Sequence, residues 1–160
     1  MRLFVCTVAF VLLSACSLKT PETLDDPEQV VAVFFEAYEN ADGHTLVDCM
    51  SADAMADINL YMEQLRETPE ESSVYLNSIG INLSAEEVTS ITAGDFITAL
   101  FNSEAYSEQL PDFSDTEFGH ALVYGDKAIV PVTTNGDTRD MELVFEDQSW
   151  KIAASGMDII

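Results

Sequence analysis

Two histidines and three cysteines are the residues of this chain best suited to acid–base, nucleophilic or metal chemistry, and their spacing restricts what they can do. His120 falls in an alternating stretch with Phe118, Leu122 and Tyr124. Turned inward with those neighbours, its imidazole has the near-neutral pKa of a general base. Held at a strand edge or hydrogen-bonded in a sheet, it is structural. Tyr38 has the same two readings: a hydroxyl offered to a substrate, or a core aromatic with its hydroxyl at the rim. His44 follows Asp42-Gly43 and reads as an exposed residue at a helix start. With no HxxxH or CxxC spacing, neither histidine belongs to a zinc or iron site, so no metal is expected. The stretch Asn135 to Asp140 has acidic spacing but lacks a twelve-residue calcium loop and contains Arg139; a hairpin loop explains it better. No GxSxG, phosphate loop or dinucleotide fingerprint occurs, and no cofactor is implied.

The cysteines divide by position. Cys49 lies among Leu46, Val47 and Met50, with Asp48 rather than a base beside it, and reads as a small buried core residue. Cys6 sits in an eleven-residue apolar run, Leu3 to Leu13, preceded by the single positive charge of Arg2. A membrane-spanning helix needs about 20 apolar residues, so this run reads as a secretory signal. It closes on Leu13-Ser14-Ala15-Cys16, which resembles the lipobox of bacterial lipoproteins. That resemblance implies cleavage between Ala15 and Cys16, acylation of Cys16 as the mature N-terminus, and residence in the cell envelope. Ser17, rather than Asp, at the next position points to the outer membrane, with the protein facing the periplasm. Cys49 would then be alone in an oxidising compartment.

The chain carries 29 acidic and 6 basic residues, a formal charge of −23 that becomes −24 when Arg2 leaves with the signal. The carboxylates are spread in pairs such as Asp25-Asp26, Glu70-Glu71 and Glu86-Glu87, with no acidic tail. They form either a solvated acidic surface or a cation-binding one. A field of this sign repels phosphate backbones and anionic headgroups, which excludes nucleic acid as a partner class and leaves the lipid to hold the protein at a membrane. With 48% hydrophobic and 22% charged residues, the composition is that of a folded chain rather than a disordered one.

The elements that must position these residues follow from period and turn chemistry. Residues 16 to 26 are the lipidated Cys and a polar tether that reaches at most about 30 Å. A single α+β domain is expected over residues 27 to 156, with 157 to 160 as a tail. It opens at Asp26-Pro27, an N-cap followed by Pro at the first helical position. Val30, Phe34, Ala37, Tyr38 and Ala41 then follow a helical stripe, widened by Val31 and Phe35. Short helices are expected over Thr45 to Met50, Ala54 to Arg66 and Asp95 to Phe101. Ser84-Ala85-Glu86-Glu87 forms a capping box. Ser72 to Ile81 stays open between helix and irregular structure, and Ser103 to Thr116 reads as a loop. From Glu117 the period becomes two, and four strands are expected: Glu117–Tyr124, Lys127–Thr134, Arg139–Glu146 and Ser149–Ala154. The gaps between them are short enough to force an antiparallel meander. Pro131 belongs at an edge or bulge. The expected core includes Phe34, Tyr38, Leu122, Leu143, Phe145, Trp150 and Ile152.

The segments PEQVVAVFFEAYENAD, VYGDKAIVPV and LVFEDQSWKI, covering Pro27–Ser51 and Tyr124–Ile152, resemble the nuclear-transport-factor-2-like superfamily. This is a cone-shaped α+β fold that includes ketosteroid isomerases and SnoaL-like cyclases. Residues 54 to 116 match only loosely. The resemblance implies a curved sheet wrapped round the first helix, with a pocket at the open end of the cone. An enzyme of the isomerase or dehydratase kind would use His120 and Tyr38 there, but no Asp or Glu shares Phe118's strand face to act as the carboxylic base. Such folds serve enzymes, carriers and interaction modules alike. With many apolar and few polar positions available to the cone, the expectation is a non-catalytic module. It would bind a small apolar ligand or an envelope protein, with a homodimer through the sheet as a further arrangement.

Overall fold

The computed structural model describes residues 25–107 and 113–159. The expected signal, Cys16 and most of the tether lie outside the described residues. Helix α1, Pro27–Glu39, starts where the Asp26 side chain accepts the Glu28 amide N–H at 3.0 Å. It buries Val30, Val31, Phe34, Phe35 and Ala37, the wide stripe expected of a helix laid on a sheet. Helix α2, Gly43–Cys49, is capped by Asp42, which accepts from the Thr45 N–H. Helices α3 (Ala56–Glu67), α4 (Pro69–Ser78), α5 (Ala85–Ser90), α6 (Ala93–Phe101) and α7 (Glu104–Ser107) follow. The capping box at Ser84 is present in full. Two segments are more helical than expected. Pro69 at the first helical position, with Glu70 and Glu71 in the first turn, starts α4 through the stretch left open in the sequence. The segment read as a loop carries α7.

Strands β1 (Glu117–Phe118), β2 (Leu122–Tyr124), β3 (Lys127–Thr134), β4 (Asp137–Glu146) and β5 (Ser149–Ile152) form one antiparallel sheet in which β1 and β2 both pair with β3. The architecture is α+β: four strand positions, with α1 and α2 packed against the sheet. Asn135 and Gly136 both adopt positive φ in a two-residue turn, the backbone twist that suits a tight hairpin. The chain then turns back as a 3-10 segment, Ala154–Ile159, and Ser155 donates to a Glu142 carboxylate oxygen at 2.8 Å.

The first expected strand is two pieces, and the reason decides where its side chains go. Phe118 pairs with Val132, but Leu122 pairs with Ile129, so the three residues Gly119–Ala121 face only Val130 and Pro131. That is a β-bulge of one extra residue. Pro131 accepts from the Gly119 N–H at 2.7 Å, so the side of Pro131 that lacks an N–H faces this break and no ladder bond is lost. An extra residue reverses the alternation beyond it. Phe118 packs on Phe35 of α1, with ring centroids 5.5 Å apart, while Leu122 and Tyr124 turn to the opposite face. Leu122, expected in the core, lies on that face and is 52% exposed; Val123, paired with Ala128 on the other face, is 54% exposed, so β2 is open on both sides. Phe145 is also corrected. It shares the core face with Leu143 but lies past the start of β3, where it is 44% exposed and stacks edge-on against Trp150. Phe34, Leu143, Trp150 and Ile152 are buried as expected, and Tyr38 is half-buried.

The interior has two parts. The larger joins α1 and α2 to the sheet through Phe34, Leu46, Val130, Met141 and Leu143. The smaller lies among α3 to α6, around Met62, Leu76, Val88 and Phe96. Ile58 of α3 packs against both.

Candidate functional site

The two parts of the interior do not close completely where they meet, and a cavity of about 440 Å³ remains at the seam. Its size is that of a small-molecule site. Phe34, Leu46, Met50 and Ile97 supply its walls from the larger core, and Phe96 does so from the smaller. Leu100 and Phe101, from the same turn of α6, line it as well. The close approach of α6 to α2 sets this geometry. A Cβ on Gly43 would lie 2.2 Å from the Gly94 carbonyl oxygen, and one on Gly94 would lie 2.6 Å from His44 Nδ1, so the helices touch backbone to backbone. The Gly43 N–H donates to Thr98 Oγ1 at 3.0 Å across this contact.

At the mouth stand three tyrosines from three helices: Tyr61 of α3, Tyr75 of α4 and Tyr106 of α7, which are 37%, 54% and 42% exposed. Burial raises the Tyr61 phenol pKa, with Tyr75 and Tyr106 adding to the rise. Asp57, one helical turn before Tyr61 on α3, is the one charged residue among those lining the cavity.

Tyr38 lines this cavity, its ring 4.8 Å from that of Phe101 and its phenol pKa raised by burial. His120 does not. It sits in the bulge with its side chain fully exposed and its Nδ1 3.3 Å from a Glu28 carboxylate oxygen. Glu28 also accepts the Ala121 N–H at 2.7 Å, the chief reason its carboxyl is held below the usual range, with His120 adding to the effect. Glu28 and Tyr38 lie at opposite ends of α1, about 15 Å apart along the helix at 1.5 Å per residue. The structure thus pairs His120 with Glu28 and does not bring it to Tyr38. The strand face that pointed His120 inward is the one the bulge reverses.

His44 is exposed at the start of α2, with Nε2 2.9 Å from an Asp95 carboxylate oxygen. Asp95 is held low first by the Thr92 hydroxyl and then by His44, which makes this a capping arrangement at the start of α6. Cys49 is fully buried, and burial pushes its thiol up to about 11. It is a core residue without nucleophilic character at neutral pH. Among the described residues, no three His, Cys, Asp or Glu side chains gather where they could hold a metal ion. No helix among them is long and apolar enough to cross a membrane.

The sequence placed Tyr61, Phe96 and Leu100 within expected helices without joining them into a site. Tyr75 and Tyr106 were missed, since both fall in segments with no clear period. The available signal was compositional: four of the five tyrosines precede the first strand.

No family model matches the chain, and no curated protein matches it. Among solved structures, one from Campylobacter jejuni named as an NTF2-like transpeptidase is similar at 13% identity. The match covers 79% of this chain and 96% of that one, with a TM-score of 0.39.

Proposed function

We propose that this protein is a non-catalytic binding module of the cell envelope, anchored by lipid on Cys16, whose nuclear-transport-factor-2-like α+β domain holds a small apolar ligand. The observation that carries the reading is the cavity at the seam of the two cores. It has aliphatic and aromatic walls, and the polar groups lining it are tyrosine hydroxyls and one carboxylate at the mouth. General acid–base chemistry needs two or more polar groups converging within hydrogen-bond reach of a bound substrate. A carrier needs a shaped apolar space that excludes water from its ligand. The signal and its closing cysteine support the envelope location.

Native mass spectrometry of the lipidated protein, purified from its own envelope, tests the reading. The expected result is a retained small molecule that is lost in Leu100→Trp, whose indole fills the cavity from α6. An empty wild-type protein whose melting temperature does not respond to small apolar probes would overturn it.

A further inference from the structure

Resting on that reading, we infer that the ligand is an organic cation: an apolar body that enters the cavity, carrying an ammonium or quaternary ammonium head that stays among Tyr61, Tyr75 and Tyr106 beside Asp57. The inner walls take the apolar body. Phe34, Leu46, Met50 and Ile97 present only hydrocarbon, sulfur and ring surface.

The mouth is a different environment. Three tyrosines from three separate helices line the cavity there, 37%, 54% and 42% exposed. An aromatic face is the negative end of a quadrupole, and a cation over it gains about 0.5–2 kcal/mol, the more so when partly desolvated. All three tyrosines line the same cavity, and Tyr61 is also held against Phe96, with ring centroids 5.7 Å apart. Asp57 adds a full negative charge at i, i+4 from Tyr61, on the same face of α3.

Charge discriminates against the alternatives. None of the residues lining the cavity is Lys, Arg or His. A fatty acid or phosphate head placed here would face a carboxylate with no positively charged side chain to offset its desolvation. The whole chain, at −23, favours approach of cations and slows that of anions. A neutral ligand would gain the apolar walls but nothing from the mouth.

The test compares three probes of similar size: phenyltrimethylammonium, its uncharged isostere tert-butylbenzene, and benzoate. Affinities are measured by ligand-observed NMR on the mature lipidated protein in nanodiscs, with empty nanodiscs as the blank. The expected order is the cation first, tighter than tert-butylbenzene by roughly tenfold or more, and benzoate not bound. Asp57→Asn and Tyr61→Leu should each narrow the gap between cation and isostere, and added salt should narrow it further in the wild type. Asp57 is exposed, so a melting curve shared with the wild type is the check that Asp57→Asn folds. Equal binding of cation and isostere, or preference for benzoate, overturns the cation inference and leaves the binding module standing. If none of the three probes binds, the cation inference falls, and the binding module falls with it where the protein also emerges empty from its own envelope.

Discussion

Replacing Gly43 by Ala adds one methyl group at the tightest contact between two helices. That methyl would lie 2.2 Å from the Gly94 carbonyl oxygen and 2.6 Å from the Thr98 backbone nitrogen. Both are backbone atoms, so no side chain can swing away, and α6 must retreat by roughly 1 Å to restore ordinary van der Waals separation. Overpacking of this kind costs about 1–3 kcal/mol. The retreat also breaks the bond from the Gly43 N–H to Thr98 Oγ1, worth about 1 kcal/mol. Alanine offsets about 0.4–1 kcal/mol by stiffening the unfolded chain. The net loss is about 1–4 kcal/mol, and for a domain of this size that lowers Tm by on the order of 5–15 °C. Thermal unfolding by circular dichroism measures it. Thr98→Val isolates the hydrogen bond and should cost about 1 kcal/mol by itself. Since α6 carries Phe96, Ile97, Leu100 and Phe101 into the cavity, Gly43→Ala should also weaken ligand retention. A Gly43→Ala protein with wild-type Tm would refute the close packing of α2 on α6 and the cavity geometry built on it.

Two further predictions concern the cysteines. Cys16→Ala should leave an uncleaved precursor or release a soluble form, and mass spectrometry that finds an unmodified Cys16 at the mature N-terminus of membrane-extracted protein would end the lipid-anchor proposal. Cys49 should resist alkylation at pH 8 in the folded protein and react once urea unfolds it. Its raised pKa sets the sign of a pH effect: between pH 9.0 and about 11 the unfolded thiol ionises while the folded one stays protonated, so stability falls as pH rises through that window. Cys49→Ala should remove that part of the alkaline loss, and an identical loss in Cys49→Ala and wild type would show that the thiol is not buried.

The legible features of the fold are those encoded within a few residues. The Asp26-Pro27 start, the Ser84 capping box and the Asn135-Gly136 turn each depend on neighbours in the sequence, and each is where local chemistry puts it. The bulge before Leu122 is different in kind. Nothing within Glu117–Tyr124 says that three of its residues will face two on β3, because register is a property of the pair of strands. Gly119 and Pro131 were both visible, yet their meeting at one point of the ladder is not a local fact. One uncounted residue was enough to move Leu122 to the other face, and of the two readings of His120 it is the structural one that holds, as an exposed partner of Glu28.

The cavity was illegible for a related reason. A helix announces its buried face by period, and α4 has almost none: Ser72 and Leu76 are its buried residues, while Tyr75 stands beside them half in solvent. A residue that lines a cavity is neither core nor surface, so it blurs the period used to find helices. Tyr61 and Tyr75 are large aromatic groups left partly uncovered on helices whose other faces are packed, and Tyr106 stands partly uncovered on α7, which buries none of its residues. All three also lie in residues 54 to 116, outside the sheet and the helix laid across it. Other segments build that sheet and helix, and this one supplies the mouth of the cavity. If the proposed binding role holds, substitutions on the cavity side of α3, α4 and α7 should change what is bound with little effect on whether the sheet forms.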